Sequence, residues 1–150
     1  MNVFELLKKD HEKVAGIFEE IEQTTERAVK TREELFARLR SELELHSQIE
    51  EAILYPALKQ EEESREITLE AIEEHRVVKR LLKELEATPV ESEQWMAKMT
   101  VLKENVEHHV EEEENEMFKS AREVLSKDQI ENLTARVEAE KKAMKAVSQG

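Results

Sequence analysis

Two stretches of this chain place a histidine four residues before a glutamate: HSQIEEAILYP, from His46 to Pro56, and HHVEEEENEMF, from His108 to Phe118. On a helix a separation of four is about one turn, so His46 stands beside Glu50 and His109 beside Glu113. The chain has no cysteine, which removes disulfides, thiolate zinc sites, cysteine-held iron–sulfur clusters and thiol nucleophiles together. Any metal bound here is held by nitrogen and oxygen.

Two further histidines, His11 in DHEKV and His75 in EEHRVV, belong to the same pattern. Aligning Asp10–Glu22 on Glu74–Glu86 matches His11 to His75, Val14 to Val78, Ile17 to Leu81, Phe18 to Leu82 and Ile21 to Leu85. In the same register His46 and Glu50 correspond to His109 and Glu113, with Tyr55 opposite Phe118. One helical hairpin is thus written twice, which predicts a pseudo-twofold axis with two half-sites face to face.

The elements that position these residues are helices. Among 150 residues there are only two glycines and two prolines, and Glu, Lys, Leu, Ala and Arg dominate. Capping-box spacings at Asn2/Glu5, Thr31/Glu34, Thr88/Glu91 and Ser126/Gln129, with Ser64 as a further cap, mark the starts. They predict helices over Val3 to Thr24, Arg32 to about Gln60, Arg65 to Ala87, Pro89 to Leu125 and Lys127 to Val147. Pro56 is expected to end or bend the second near Tyr55. The fold class is all-α: an up-and-down antiparallel four-helix bundle over about 3–125 and an additional C-terminal helix over about 127–147, in one domain spanning 1–150.

At about 100° per residue, His46 and Glu50 share a stripe with Leu35, Leu39, Leu43 and Ile53. His11 falls among Phe4, Leu7, Val14 and Phe18; His75 among Ala71, Ile72, Val78 and Leu82; and His109, with Glu113, among Trp95, Leu102 and Val106. His108 turns away to the edge or into solvent, and the EEEENE run around Glu113 otherwise reads as a solvated face. Four inward imidazoles and two inward carboxylates need a compensating charge, because an unpaired buried carboxylate costs several kcal/mol. The only basic residue in the stripe is Lys79, one turn after His75, so a bound cation is the economical answer. Imidazole and carboxylate suit iron, and also manganese, zinc or copper. Two histidines and two shared carboxylate oxygens give each of two metals about four ligands, and a bridging oxo or hydroxo group about five, leaving an open position for a small molecule.

Through DHEKV, HSQIEEAILYP, EEHRVV and HHVEEEENEMF, in that order, the chain resembles a hemerythrin-like, or HHE cation-binding, domain over roughly Val3 to Leu125. The resemblance implies a non-haem di-iron centre with His11, His46, His75 and His109 as terminal ligands and Glu50 and Glu113 as bridges. Manganese or zinc are the possible substitutes. Two departures point away from a reversible oxygen carrier: Lys79 stands where such carriers have a second histidine on the third helix, and Glu113 lies four residues after His109 where they have an aspartate five after. The pattern is similar to the four-histidine, two-glutamate bacterial members linked to nitric oxide and oxidative stress. The expected function is to bind, sense or reduce a small oxidant (O2, peroxide or nitric oxide), with enzymatic redox turnover left open. The alternatives are iron sensing or storage, and a helical interaction module in which the metal is structural.

A net charge of −13, with no basic stripe, opposes nucleic acid and anionic membranes as partners. No signal-peptide-like run or apolar span occurs, and the chain is read as cytoplasmic. Ile130, Leu133, Val137 and Met144 form an apolar stripe on the last helix. It caps the bundle's own side or, less expected, mediates a homodimer.

Overall fold

The structure, a computed structural model, describes residues 1–149, with side chains described through residue 145; Gly150 lies outside the described residues. The elements in order are α1 (Val3–Glu22), α2 (Val29–Ile49), a π-helical turn (Glu50–Leu54), α3 (Tyr55–Lys59), α4 (Glu62–Glu86), α5 (Glu93–Glu112), a second π turn (Glu113–Met117), α6 (Phe118–Val124) and α7 (Lys127–Gln149). The α2–α3 and α5–α6 runs are each one continuous helix with a π turn inside it. With α1 and α4 they make the four rods of a helical bundle, α1 packing on α2 and α4 on α5.

Two capping predictions hold. The Asn2 side chain accepts the Glu5 N–H at 3.0 Å. Ser126 and Gln129 exchange a reciprocal pair, Ser126 N–H to Gln129 Oε1 at 2.8 Å and Gln129 N–H to Ser126 Oγ at 3.1 Å. Three do not. α2 starts at Val29 instead of Arg32, because the Arg32 N–H already closes a turn on the Ala28 carbonyl. The Arg32 guanidinium then ties the loops together, donating to the Thr24 hydroxyl and to the Val90 carbonyl. Thr88 does not cap α5: its hydroxyl donates back to the Glu84 carbonyl at 2.7 Å, closing α4, and Ser92 caps the next helix by accepting the Trp95 N–H. Ser64 lies inside α4 and donates to the Leu58 carbonyl.

Pro56 neither ends the helix nor is needed for its change of winding. Helix continues to Lys59, and the π turn precedes the proline. The second π turn occupies the matching place, where Lys119 stands at the position of Pro56. In both turns the N–H five residues on returns to the glutamate carbonyl: Tyr55 to Glu50, Phe118 to Glu113. A π turn inserts one residue into the helical register and commonly marks a functional position.

The apolar core is in two pieces. One gathers Phe4, Leu7, Leu54, Tyr55 and Phe118 with Leu133 and Val137 of α7; the other gathers Phe18, Leu39, Leu82, Trp95 and Leu102. On every rod the histidine falls between them, as His11 does between Leu7 and Val14. The α7 stripe is used within the chain: Val137 is fully buried, Thr134 Oγ1 accepts the Val3 N–H at 2.8 Å, and α7 packs on α1, α2 and the first π turn.

Candidate metal centre

All six residues singled out by their spacing meet in the belt between the two apolar clusters. His11, His46, His75, His109, Glu50 and Glu113 are each no more than 7 % exposed. They form two overlapping donor groups, His11–His46–Glu50–Glu113 and Glu50–His75–His109. The glutamates reach both halves. Glu50 Oε1 lies 3.1 Å from His46 Nε2 and 3.2 Å from His75 Nε2. Glu113 sets Oε1 3.1 Å from His11 Nε2 and Oε2 3.3 Å from His109 Nε2.

The outer nitrogen of every histidine is committed to a carboxylate. The Nδ1 atoms pair as His11 with Glu114 (2.6 Å), His46 with Asp10 (2.9 Å), His75 with Glu51 (2.9 Å) and His109 with Glu74 (2.6 Å). Under the repeat, His46–Asp10 maps onto His109–Glu74 and His75–Glu51 onto His11–Glu114, so the pseudo-twofold extends to the supporting shell. A carboxylate on Nδ1 fixes the tautomer that leaves the Nε2 lone pair free to bind a cation.

Those lone pairs face one another. His11 Nε2 and His46 Nε2 stand 3.2 Å apart, an arrangement of two acceptors that is repulsive unless a cation or proton lies between them. Glu50 Oε2, Glu113 Oε1 and His109 Nε2 are buried without a hydrogen-bond partner, although the last two have opposite-type atoms 3.1–3.3 Å away. Close approach without hydrogen-bond alignment is expected of atoms aimed at a common point instead of at each other.

The electrostatics agree. Burial by itself would lower the pKa of His46, but the Glu50 charge and the bonds to Asp10 and Glu50 hold it well above the ordinary histidine value. Burial is likewise outweighed at His109, by Glu113 and Glu74, and its pKa is raised to about 10. Glu113 is held well below the usual carboxylate range, where burial opposes but Glu50, His109 and His11 prevail. The cluster demands positive charge, and a nitrogen–oxygen donor set of this size fits divalent or trivalent metal.

Tyr55 breaks the symmetry. Its hydroxyl donates to Glu113 Oε2 at 2.6 Å, with Glu50 Oε1 at 3.1 Å as the alternative acceptor, while its mate Phe118 only stacks against His11. Burial first, then the two glutamate charges, push the phenol well above its ordinary pKa, so it stays a donor.

Against the expectation from its spacing, Lys79 does not face the cluster. It is 56 % exposed, its ammonium 3.7 Å from Glu51, because a four-carbon stem carries the charge out to water more cheaply than burial would. His108 is exposed, as its register requires. Asp10, Glu51, Glu74, Glu114 and the Tyr55 hydroxyl were not singled out from sequence. Each of the four carboxylates is the immediate neighbour of a cluster residue and repeats with it, a signal present in the alignment. Glu114 belongs to the run read as solvated, yet it holds His11.

Beside the four histidines lies a cavity of about 30 Å³, walled by Val14, Leu43, Val78, Val106 and Val110. That is room for about one water-sized molecule.

Comparison with known proteins gives three matches. The Hemerythrin HHE cation binding domain family matches residues 2–121. A crystal structure of a hemerythrin HHE cation binding domain-containing protein from Mycobacterium kansasii is 28% identical, with a TM-score of 0.79, covering 95% of this chain and 89% of that one. A protein of Nostoc sp. described as a DNA nickase is 28% identical over 94% of this chain, which spans 39% of that relative's length.

Proposed function

The chain belongs to the hemerythrin HHE cation-binding domain family, and from that premise we propose that its buried cluster holds two iron ions at which a small oxidant is bound, sensed or reduced. His11 and His46 would hold one ion and His75 and His109 the other, with Glu50 and Glu113 the carboxylates available to both. Iron in such a site supplies redox change and an exchangeable coordination position for O2, peroxide or nitric oxide.

The observation that carries the reading is the cavity. It is lined by the four histidines, by Ser47 and by valine and leucine, so a small, weakly hydrated molecule is accommodated against the imidazoles better than a bulky or strongly hydrated one. Asp10, Glu51, Glu74 and Glu114 orient the imidazoles, and Tyr55, which does not line the cavity, donates its proton to Glu113 Oε2 at 2.6 Å. The valines and Leu43 give a bound molecule an apolar wall.

Small molecules, and not DNA, are the partners in this reading. The charge of −13 repels a phosphate backbone, and the activity named for the Nostoc relative belongs to a longer protein. No described helix is long and apolar enough to cross a membrane, and we place the protein in the cytoplasm.

The test is metal analysis followed by anaerobic iron reconstitution and addition of O2, peroxide, nitric oxide or azide. About two irons per chain and an optical change with at least one oxidant are expected. Two irons with a spectrum indifferent to all four would leave a structural metal in place of a reactive one.

A further inference from the structure

Outside the buried cluster the twofold repeat fails where its outer carboxylates are held, and the failure has a chemical sense. In the first half the outer carboxylate, Asp10, accepts His46 Nδ1 with Oδ2 and the ammonium of Lys141, from α7, with Oδ1. A built-in cation thus fixes the carboxylate that orients His46. Over this region Leu45 and Ile49 pack into the apolar cluster that α7 completes.

In the second half the outer carboxylate is Glu74, whose Oε1 accepts His109 Nδ1 at 2.6 Å. The residues at the places of Leu45 and Ile49 are His108 and Glu112, one helical turn apart on α5. His108 Nε2 lies 3.2 Å from Glu112 Oε1 and 4.0 Å from Glu74 Oε2. Each of the three offers a ligand atom within 4.8 Å of the others. Among the described residues the ion pairs of Glu74 are with these two histidines and with no lysine or arginine. Where one half has an ammonium and an apolar cover, the other has an imidazole and a second carboxylate, open to solvent.

We propose that Glu74, His108 and Glu112 form a separate, exchangeable site for a divalent transition-metal cation such as Zn2+, standing where Lys141 stands in the other half. One imidazole and two carboxylates are sufficient donors for zinc, with water completing the tetrahedron. The 3.2 Å separation between His108 Nε2 and Glu112 Oε1 is close to the about 3.3–3.6 Å between two ligands of one tetrahedral ion with bonds of about 2.0–2.2 Å, and the longer approach to Glu74 closes by a side-chain rotation. The bound cation would fix Glu74 on His109 as Lys141 fixes Asp10 on His46. It would also offset the like charges of Glu74 and Glu112, which His108 approaches at 4.0 and 3.2 Å. The site does not depend on what the buried centre holds.

The experiment is calorimetric titration of Zn2+ into the full chain after the buried centre has been saturated and free metal removed, in the parent and in His108→Ala and Glu112→Gln. Both substitutions are at solvent-facing positions that the fold tolerates. One further equivalent is expected in the parent and its loss in each variant, with the buried metal content unchanged. Absence of that equivalent in the parent, or its persistence in His108→Ala, would overturn the proposal. Because the readout is the difference between parent and variant, it stands whether or not the buried metal is iron.

Discussion

His11 Nε2 and His46 Nε2 approach to 3.2 Å while their Nδ1 atoms are each bound to a carboxylate, Glu114 and Asp10. Neither ring has a second donor to turn inward unless it takes up a proton. A metal cation resolves the contact, and on its removal a proton on His46 must take its place, satisfying fewer of the buried donor atoms than a shared metal does.

Chelation should therefore destabilise the fold. Ligand at a thousandfold excess over its Kd stabilises by about 4 kcal/mol, and in a domain of this size each kcal/mol moves Tm by about 2–4 °C. A fall on the order of 10 °C in a thermal melt is the expected outcome. Equal melting of chelated and loaded protein would show that the cluster is no metal site.

Metal-free protein should have an inverted alkaline behaviour. His109 is raised from 6.5 to about 10, so its contribution is complete below about 6.5 and lost as pH rises through 10. Glu113 is depressed, so its contribution is present above 4.5 and lost on acidification below that. Urea denaturation of stripped protein should find greatest stability at about pH 4.5–6.5 and a decline toward pH 10. Between about pH 8 and 5, where the stripped protein gains stability, the loaded protein should lose it, since protons compete with metal for the same nitrogens. A flat profile for the stripped protein between pH 6 and 10 would contradict the assignment.

Tyr55→Phe recreates at one half what Phe118 already is at the other. The ring packing survives, but Glu113 loses a donor at 2.6 Å. Hydrogen bonds to charged groups contribute about 1.5–3 kcal/mol, and a loss of that order is expected in urea denaturation of the metal-free variant. A change below about 0.5 kcal/mol would mean that the hydroxyl does not hold Glu113.

Val106→Leu puts one more methylene into the cavity beside the histidines. Overpacking costs about 1–3 kcal/mol, which, if borne by the bound ligand, corresponds to about 5- to 150-fold in rate. Stopped-flow reaction of the iron-loaded variant with O2 or peroxide should be slower by about that factor with iron content unchanged. An unchanged rate would place the reacting molecule elsewhere.

Composition and caps were enough to find the helical rods, internal alignment the doubled hairpin, and helical phase the six inward donors, because at fixed rotation per residue a side chain's direction follows from its neighbours on the same helix. The capping box at Ser126 and Gln129 was equally local. Relations between rods were not legible in this way. Asp10 and His46 are 36 residues apart, His11 and Glu114 103 apart, and only packing decides which carboxylate meets which imidazole. The π turns at Glu50 and Glu113 are a register change that sequence periodicity does not announce, since a single added residue leaves both flanking stripes intact. Lys79 shared the angular position of a ligand, yet its long stem let the charge leave the core, a choice made by desolvation and not by helical phase. Thr31 and Thr88 had capping chemistry but lost their helix starts to competing local bonds, the Arg32 N–H on the Ala28 carbonyl and the Thr88 hydroxyl on the Glu84 carbonyl. The sequence by itself determined which groups could do chemistry; the tertiary structure decided which partners hold them, because those contacts are made between helices whose approach no single helix encodes.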